Sequence, residues 1–257
     1  MTEAELLRSL PVLAFQSVLL LSRLGAAAMI APGLGEADVP VRIRLAVALA
    51  LVPLLLPLLA GQLPPQPEDI PGTLRLVVTE LLVGLWIGGL ARVVAMALSV
   101  AFQIVALAMG LASVLAPDAQ MGAQTAILGR LGSLVTAVLV LSTGLYAQPL
   151  RALADSYEVL PPGAPWPAGA AAADMAGAGA AMLALALRLA SPFLLGLFLV
   201  NLASGLLARV APQLQVNILV SPAQILGGMV LLGLVARPLL DSFLAALAAS
   251  WAGLPGL

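Results

Sequence analysis

The sequence predicts an all-α integral membrane protein, a single domain over residues 1–257 made of about six long, kinked hydrophobic helices. Three observations predict it. Of 257 residues, 62% are hydrophobic and only 9% are charged, where a soluble domain carries about 25% charged residues. Uncharged runs cover 45–67, 93–117, 131–150, 189–208 and 210–236, and 9–35 is interrupted only by Arg23. Each run approaches or exceeds the roughly 20 residues that a helix needs to cross a bilayer. Finally, the runs lack the polar face every 3.6 residues of a soluble bundle, and they lack the alternation over segments of about ten residues of a membrane barrel.

The elements follow from the breaks between the runs, which gather Pro, Gly and most of the charge. A first helix is expected over 5–32. The stretch MTEAELLRSL carries two glutamates where a cleaved secretory signal has basic residues, so the hydrophobic segments themselves are expected to direct insertion. After APGLGEADVPVRIR (31–44), a second helix is expected over 41–61. After GQLPPQPEDIPG (61–72), a third is expected over 71–115. That third segment is too long for one span and contains Glu80 and Arg92, so it must bend, be shielded by protein or lie partly outside lipid. APDAQMGAQ (116–124) precedes a fourth helix over 124–154, DSYEVLPPGAPWPAGAAAAD (155–174) a fifth over 175–210, and APQLQ (211–215) a sixth over 215–250. In the last break, Pro212 lacks an N–H and disfavours helix at Ala211, while Gln213, Gln215 and Asn217 can cap freed backbone groups. Arg209, in the turn before it, suits the negative end of the helix dipole. A buried hairpin tip and a plain cytoplasmic loop both fit this pattern.

Charge and composition exclude several functions. All 11 basic residues are arginine, they face 12 acids, and the net charge of −1 gives no footprint for nucleic acid. The chain has no Cys and no His, which removes thiolate ligands, the commonest metal ligand and the commonest general base. No carboxylate pair stands at ligand spacing on a span, so no catalytic, metal or cofactor site is expected and the protein is read as a non-enzyme. Arg42, Arg44, Arg92, Arg130 and Arg209 flank one set of breaks, whereas 61–70 and 155–174 hold acids and no arginine. The positive-inside rule places those acidic loops outside the cytoplasm.

Arg23, Glu80, Arg92, Arg188 and Arg237 lie within the apolar runs. Charges there face a partner, a cavity or an aqueous path. Four of the five are arginines, which do not deprotonate, so pairing or snorkelling at helix ends fits them better than a proton relay. Glu80 and Arg92 are expected to find compensation inside an assembly. Gly84, Gly88 and Gly89 lie at helical spacing, as does Gly129 with Ala126. Either they let partner helices approach closely, or they reflect only the abundance of small residues.

Three separated stretches resemble the FliR family of flagellar biosynthesis proteins of the type III secretion export gate. SRLGAAAMIAPGLGEADVPVRIRLAVALALVPLLLP (22–57) resembles its opening through Arg23, Pro32, Gly35, Pro40 and Arg42. QIVALAMGLASVLAPDAQMGAQTAILGRLGSLV is similar to its MG segment and the aspartate-containing loop that follows, with Asp118 and Arg130 at the family's positions. ARVAPQLQVNILVSP (208–222) resembles its R-x-A-P-Q-L break through Arg209, Ala211, Pro212, Gln213, Leu214 and Pro222. The chain departs from the family in STGLYAQ (142–148), where an NGH is frequent, and in a loop without aromatics.

The resemblance implies a structural and gating subunit of the flagellar protein export channel. Its tilted helical hairpins would be shielded by FliP-like and FliQ-like subunits in a helical export-gate complex, with FlhB-like and FlhA-like proteins as further partners. Unfolded flagellar proteins would pass in transit. The complex would sit in the inner membrane within the flagellar basal body, raised toward the periplasm. By resemblance the pore loop is 110–122, with Gly110 and Gly122 as hinges, Leu111, Val114, Leu115 and Met121 as an apolar seal, and Ser113 and Asp118 as its polar members. An apolar constriction dewets and resists ions while remaining displaceable by a chain. The assembly residues are Arg23, Pro32, Pro40, Arg42, Glu80, Arg92, Arg130, Arg209, Pro212, Gln213 and Pro222. A subunit of an injectisome is the alternative, and a solute transporter, for which no inverted repeat is found, is the more distant one.

Overall fold

The protein, represented by a computed structural model, is described over residues 3–111, 124–210 and 216–255, and no strand occurs among them. The helices are α1 (Glu3–Ile30), α2 (Val41–Leu59), α3 (Ile70–Ala95), α4 (Ala97–Ala108), α5 (Gln124–Thr143), α6 (Ala147–Val159), α7 (Ala168–Val210) and α8 (Val216–Trp251), with a 3-10 turn at Ala60–Gln62.

Local chemistry sets the ends. After α1 the chain turns through buried Pro32 and through Gly33, which adopts φ 88°, and Pro40, at φ −58° and ψ 141°, stands before α2. Asp69 opens α3: its Oδ2 accepts from the Gly72 N–H at 2.8 Å and its backbone oxygen from the Thr73 N–H at 3.2 Å, an N-terminal cap. Two expected helices are divided. The segment expected as one helix over 71–115 breaks at Met96, where the sequence has neither Pro nor Gly to mark a break. The helix expected over 124–154 breaks at Gly144, which takes φ 77°, a conformation that favours a residue without Cβ. Its two halves are bent by 73°, and the second runs on to Val159. The fifth helix begins at Ala168, earlier than the expected 175, because AGAAAAD is rich in the strongest helix former. Pro222 lies inside α8. A proline removes one helical hydrogen bond, which a long apolar helix tolerates.

Among the described residues, five helical segments are long and apolar enough to cross a membrane: Leu10–Ile30, Val41–Gln62, Ile70–Ala108, Ala168–Val210 and Val220–Trp251. The bent pair Ile127–Thr143 and Ala147–Val159 makes a sixth if counted as one broken span. At 1.5 Å per residue, the 43 residues of α7 extend about 65 Å, twice the roughly 30 Å of a bilayer's hydrocarbon core.

The contacts define two units. One comprises residues 1–94, 137–179 and 248–257, and buries Leu19, Leu20, Ala27, Ile87, Ala91, Val140, Tyr157 and Trp251. Here α1 and α3 run parallel and close: a Cβ at Gly84 would overlap the Arg23 carbonyl oxygen, and one at Gly88 would lie 3.0 Å from the Ala27 Cα. The small residues of α3 therefore admit a helix of the same chain. At the far end of the sequence, the buried Trp251 indole N–H donates to the Ala91 carbonyl at 3.2 Å.

The other unit comprises residues 95–136 and 180–247, with Leu98, Ala101, Phe102, Val105, Ala190, Phe193, Phe243 and Leu247 buried. Within it α4 and α5 pack antiparallel. A Cβ at Gly132 would lie 2.8 Å from the Ser99 Cα and one at Gly129 2.8 Å from the Gln103 Cγ, and the Ser99 hydroxyl donates to the Gly129 carbonyl at 2.8 Å.

Candidate functional site

In the first unit, Arg23 on α1 is 0% exposed and so is Glu80 on α3. The two form a two-point fork: Nε donates to Oε2 at 2.8 Å and Nη2 to Oε1 at 2.9 Å. The remaining guanidinium face is also used. Nη1 donates to the Ser156 hydroxyl and Nη2 to the Leu160 carbonyl, both at 2.9 Å, and the guanidinium carbon stands 3.8 Å from the centroid of the Tyr157 ring. Arginine suits such a site because its planar fork matches a carboxylate in two bonds and its flat face lies over an aromatic ring.

A second pair joins α3 to the turn between α1 and α2. Arg92, in the last turn of α3, donates from Nη1 to Glu36 Oε1 at 2.7 Å and from Nη2 to Oε2 at 3.3 Å. It is partly open, with 27% of the Arg92 side chain and 12% of the Glu36 side chain exposed. The pairs have opposite polarity, with arginine on α1 in one and on α3 in the other. A slip of α1 along α3 would unpair Arg23 from Glu80, so that pair fixes the register. The compensation expected from an assembly for Glu80 and Arg92 is thus supplied within the chain.

In the second unit α4 ends in an exposed-backbone problem that α8 solves. Gly110 adopts φ 72°, and the Gln224 amide donates to the Ala108 carbonyl at 2.7 Å. One helical turn further, Gly228 lies so close to Met109 that a Cβ there would stand 2.5 Å from the methionine Cγ. A cavity of about 150 Å³ adjoins this contact, lined in part by Phe193, Gly196, Val200, Gly227 and Leu231.

The sequence-derived residues distribute as follows. Arg23, Glu80 and Arg92 are in the two ion pairs, and Pro32 and Pro40 bound the turn between α1 and α2. Arg42 is exposed on α2 and the turn is held by Arg44, which stands two residues on and therefore on another face. Arg44 donates to the carbonyls of Met29 at 3.0 Å, Val39 at 2.9 Å and Glu36. Arg130 and Arg209 are exposed on α5 and in the last turn of α7, and Pro222 is exposed on α8. Arg188 and Arg237 also lie at exposed positions. Of the loop, Gly110 and the half-buried Leu111 are described, whereas Ser113, Val114, Leu115, Asp118, Met121 and Gly122 lie outside the described residues, as do Pro212 and Gln213. Glu36, Ser156, Tyr157 and Gln224 were not legible as site residues. Glu36 and Gln224 offered the faint signal of a polar group beside an apolar run. Among the described residues, no group of three His, Cys, Asp or Glu could hold a metal ion.

Comparison with known proteins agrees with the likeness in the three stretches. The model of the family described as bacterial export proteins, family 1, matches residues 14–250. The chain belongs to this family. It is 31% identical over 220 residues to the flagellar biosynthetic protein FliR of Caulobacter vibrioides, covering 86% of this chain and 88% of that protein. It is 28% identical over 217 residues to the protein of the same name from Escherichia coli K12, covering 83% and 80%, and 28% identical over 165 residues to that of Bacillus subtilis 168, covering 63% and 64%. As a bacterial export protein it carries both ion pairs, the turn held by Arg44 and the end of α4 inside the matched span.

Proposed function

We propose that this chain is a structural and gating subunit of the flagellar type III protein export channel, needed for secretion of flagellar proteins and assembly of the flagellum. It acts without catalytic chemistry of its own. In the bacterial inner membrane, within the flagellar basal body, it joins FliP-like and FliQ-like subunits, with FlhB-like and FlhA-like proteins as neighbours in the same apparatus. The observation that carries the reading is the match over residues 14–250 to a family of bacterial export proteins, together with relatives named for flagellar biosynthesis.

Physical features support it. Leu195, Phe198, Leu202 and Leu206 on α7 and Leu226, Val230 and Leu234 on α8 are exposed, and apolar faces of that extent call for cover by lipid or partner helices. A helix about twice as long as the hydrocarbon core is thick suits an assembly raised toward the periplasm, where neighbouring subunits take over from lipid. Segment 110–122 is the seal: Leu111, Val114, Leu115 and Met121 exclude water from the idle channel and yield to an unfolded chain, with Gly110 and Gly122 as hinges and Asp118 in the loop.

Deletion of 111–117, or Leu115→Asp, should raise ion leak through the idle assembly, while export survives in part in the deletion. The measurement is ion conductance, or growth sensitivity of cells making the assembly without substrate. Unchanged leak in both variants, with the assembly recovered intact, would place the seal elsewhere.

A further inference from the structure

We infer that the outer face of α6 borders an aqueous space, at a depth where the helices it packs on would otherwise run through the middle of a bilayer. This concerns the surroundings of one helix and is independent of where the seal lies.

The sequence of α6, AQPLRALADSYEV, divides into two rows. Pro149, Ala152, Leu153, Ser156 and Tyr157 are buried. Arg151, Asp155 and Glu158 are exposed and, at spacings of four and three, share one face of the helix. The cluster around Arg23 sets the depth, since the Ser156 hydroxyl and the Leu160 carbonyl accept from that guanidinium and the Tyr157 ring lies against it. Asp155 and Glu158 flank Ser156 and Tyr157 in the chain, so both acids stand close to the level of Arg23. In the candidate span Leu10–Ile30, Arg23 lies about 20 Å from one end and about 10 Å from the other at 1.5 Å per residue. Its partner Glu80 lies about 15 Å into the span that starts at Ile70. Both are well inside a hydrocarbon core of roughly 30 Å.

A charge that faces hydrocarbon at that depth is costly. Arg151 can carry its head group away on a long apolar stem. The carboxylates of Asp155 and Glu158, on one and two methylenes, cannot cover a distance of about 10 Å. Another helix of the same unit differs at this level. α2 packs antiparallel to α1, with the Ala60 carbonyl beside Gln16 and Val41 following the turn after Ile30, so its middle stands near Arg23. It carries no charge from Leu45 to Leu63 and exposes Leu49 and Leu54. Surroundings of one kind cannot suit both helices: lipid would leave two carboxylates unsolvated, and water would leave a leucine-rich face uncovered. The change falls at Gly144, because Val138 and Leu141, before the 73° bend, are still exposed and apolar. The unit therefore meets water along α6 and an apolar medium along α2.

The chain has no Cys, so single cysteines report their own surroundings. In cells carrying the whole export assembly, Asp155→Cys, Glu158→Cys and, as the apolar reference, Leu54→Cys are treated with a charged, membrane-impermeant maleimide, in intact cells and in inverted membrane vesicles. The reacting thiolate forms in water and is suppressed in apolar surroundings, so the two α6 sites should react at least about tenfold faster than Leu54→Cys. Reaction in an assembly at rest assigns the water to the compartment that holds the reagent, whereas reaction only during export of flagellar protein assigns it to the conduit of the assembly; the wetted face stands in both. Acids in water need no partner, so Asp155→Asn with Glu158→Gln should leave the yield of the assembly unchanged. Reaction no faster than at Leu54→Cys in cells and vesicles, at rest and during export, with the assembly recovered intact, would overturn the inference. Loss of the assembly in the neutral double variant would overturn it too, by showing that a partner's cation covers these acids.

Discussion

Replacing Glu80 by alanine removes both carboxylate oxygens from a guanidinium that has no access to water. Among the described residues Arg23 then keeps the Ser156 hydroxyl, the Leu160 carbonyl and the face of Tyr157, none of which carries a formal negative charge. Breaking a buried pair in this way costs on the order of 3–5 kcal/mol, because the surviving charge stays buried without compensation. At 1.4 kcal/mol per factor of ten, that is a loss of roughly 100- to 4,000-fold in the folding equilibrium. The damage is not local, since the cluster ties α1, α3, α6 and the residue after α6 at one point. Replacing both partners by apolar side chains of similar size, Arg23→Met with Glu80→Leu, removes the unpaired charge as well, and such exchanges are often close to neutral. The double variant should therefore be more stable than Glu80→Ala alone. The assay is recovery of folded protein after heating in detergent, with assembly yield in cells as a second readout. Wild-type recovery for Glu80→Ala, or a double variant worse than the single, would refute a buried and mutually dependent pair.

Two smaller predictions test the surroundings of that pair. Gly84→Ala should destabilise the protein, because its Cβ overlaps the Arg23 carbonyl oxygen and α1 must move, an overpacking cost of about 1–3 kcal/mol. Gly233→Ala in the middle of α8, where none of the described residues lies within 4 Å of the added Cβ, should instead be neutral or stabilising by up to about 1 kcal/mol; thermal recovery in detergent separates the two. Tyr157→Phe should leave recovery unchanged or improve it, because the buried hydroxyl has no hydrogen-bond partner among the described residues. Tyr157→Leu should lower it by removing the ring beneath the guanidinium, a loss of about 2 kcal/mol; equal recovery of the two variants would remove the cation–π contact from the account.

The sequence by itself determined the solvent, the class and the family. Runs of about 20 apolar residues can satisfy their backbone groups only as helices in lipid or in a protein-lined environment, and the proline and glycine breaks marked most helix ends to within a few residues. Arg23, Glu80 and Arg92 stood out because a charge in such a run must be answered. What answers each is a question of which helices meet, and no local pattern holds that information. Only the tertiary structure put Glu80 opposite Arg23 and Glu36 opposite Arg92, turned Arg44 rather than Arg42 into the turn, and brought Gln224 to the end of α4 across 116 residues. The breaks at Met96 and Gly144 belong to the same category. Glycine permits a reversal without requiring it, and Met96 carries no breaking chemistry, so packing decides where each helix is interrupted.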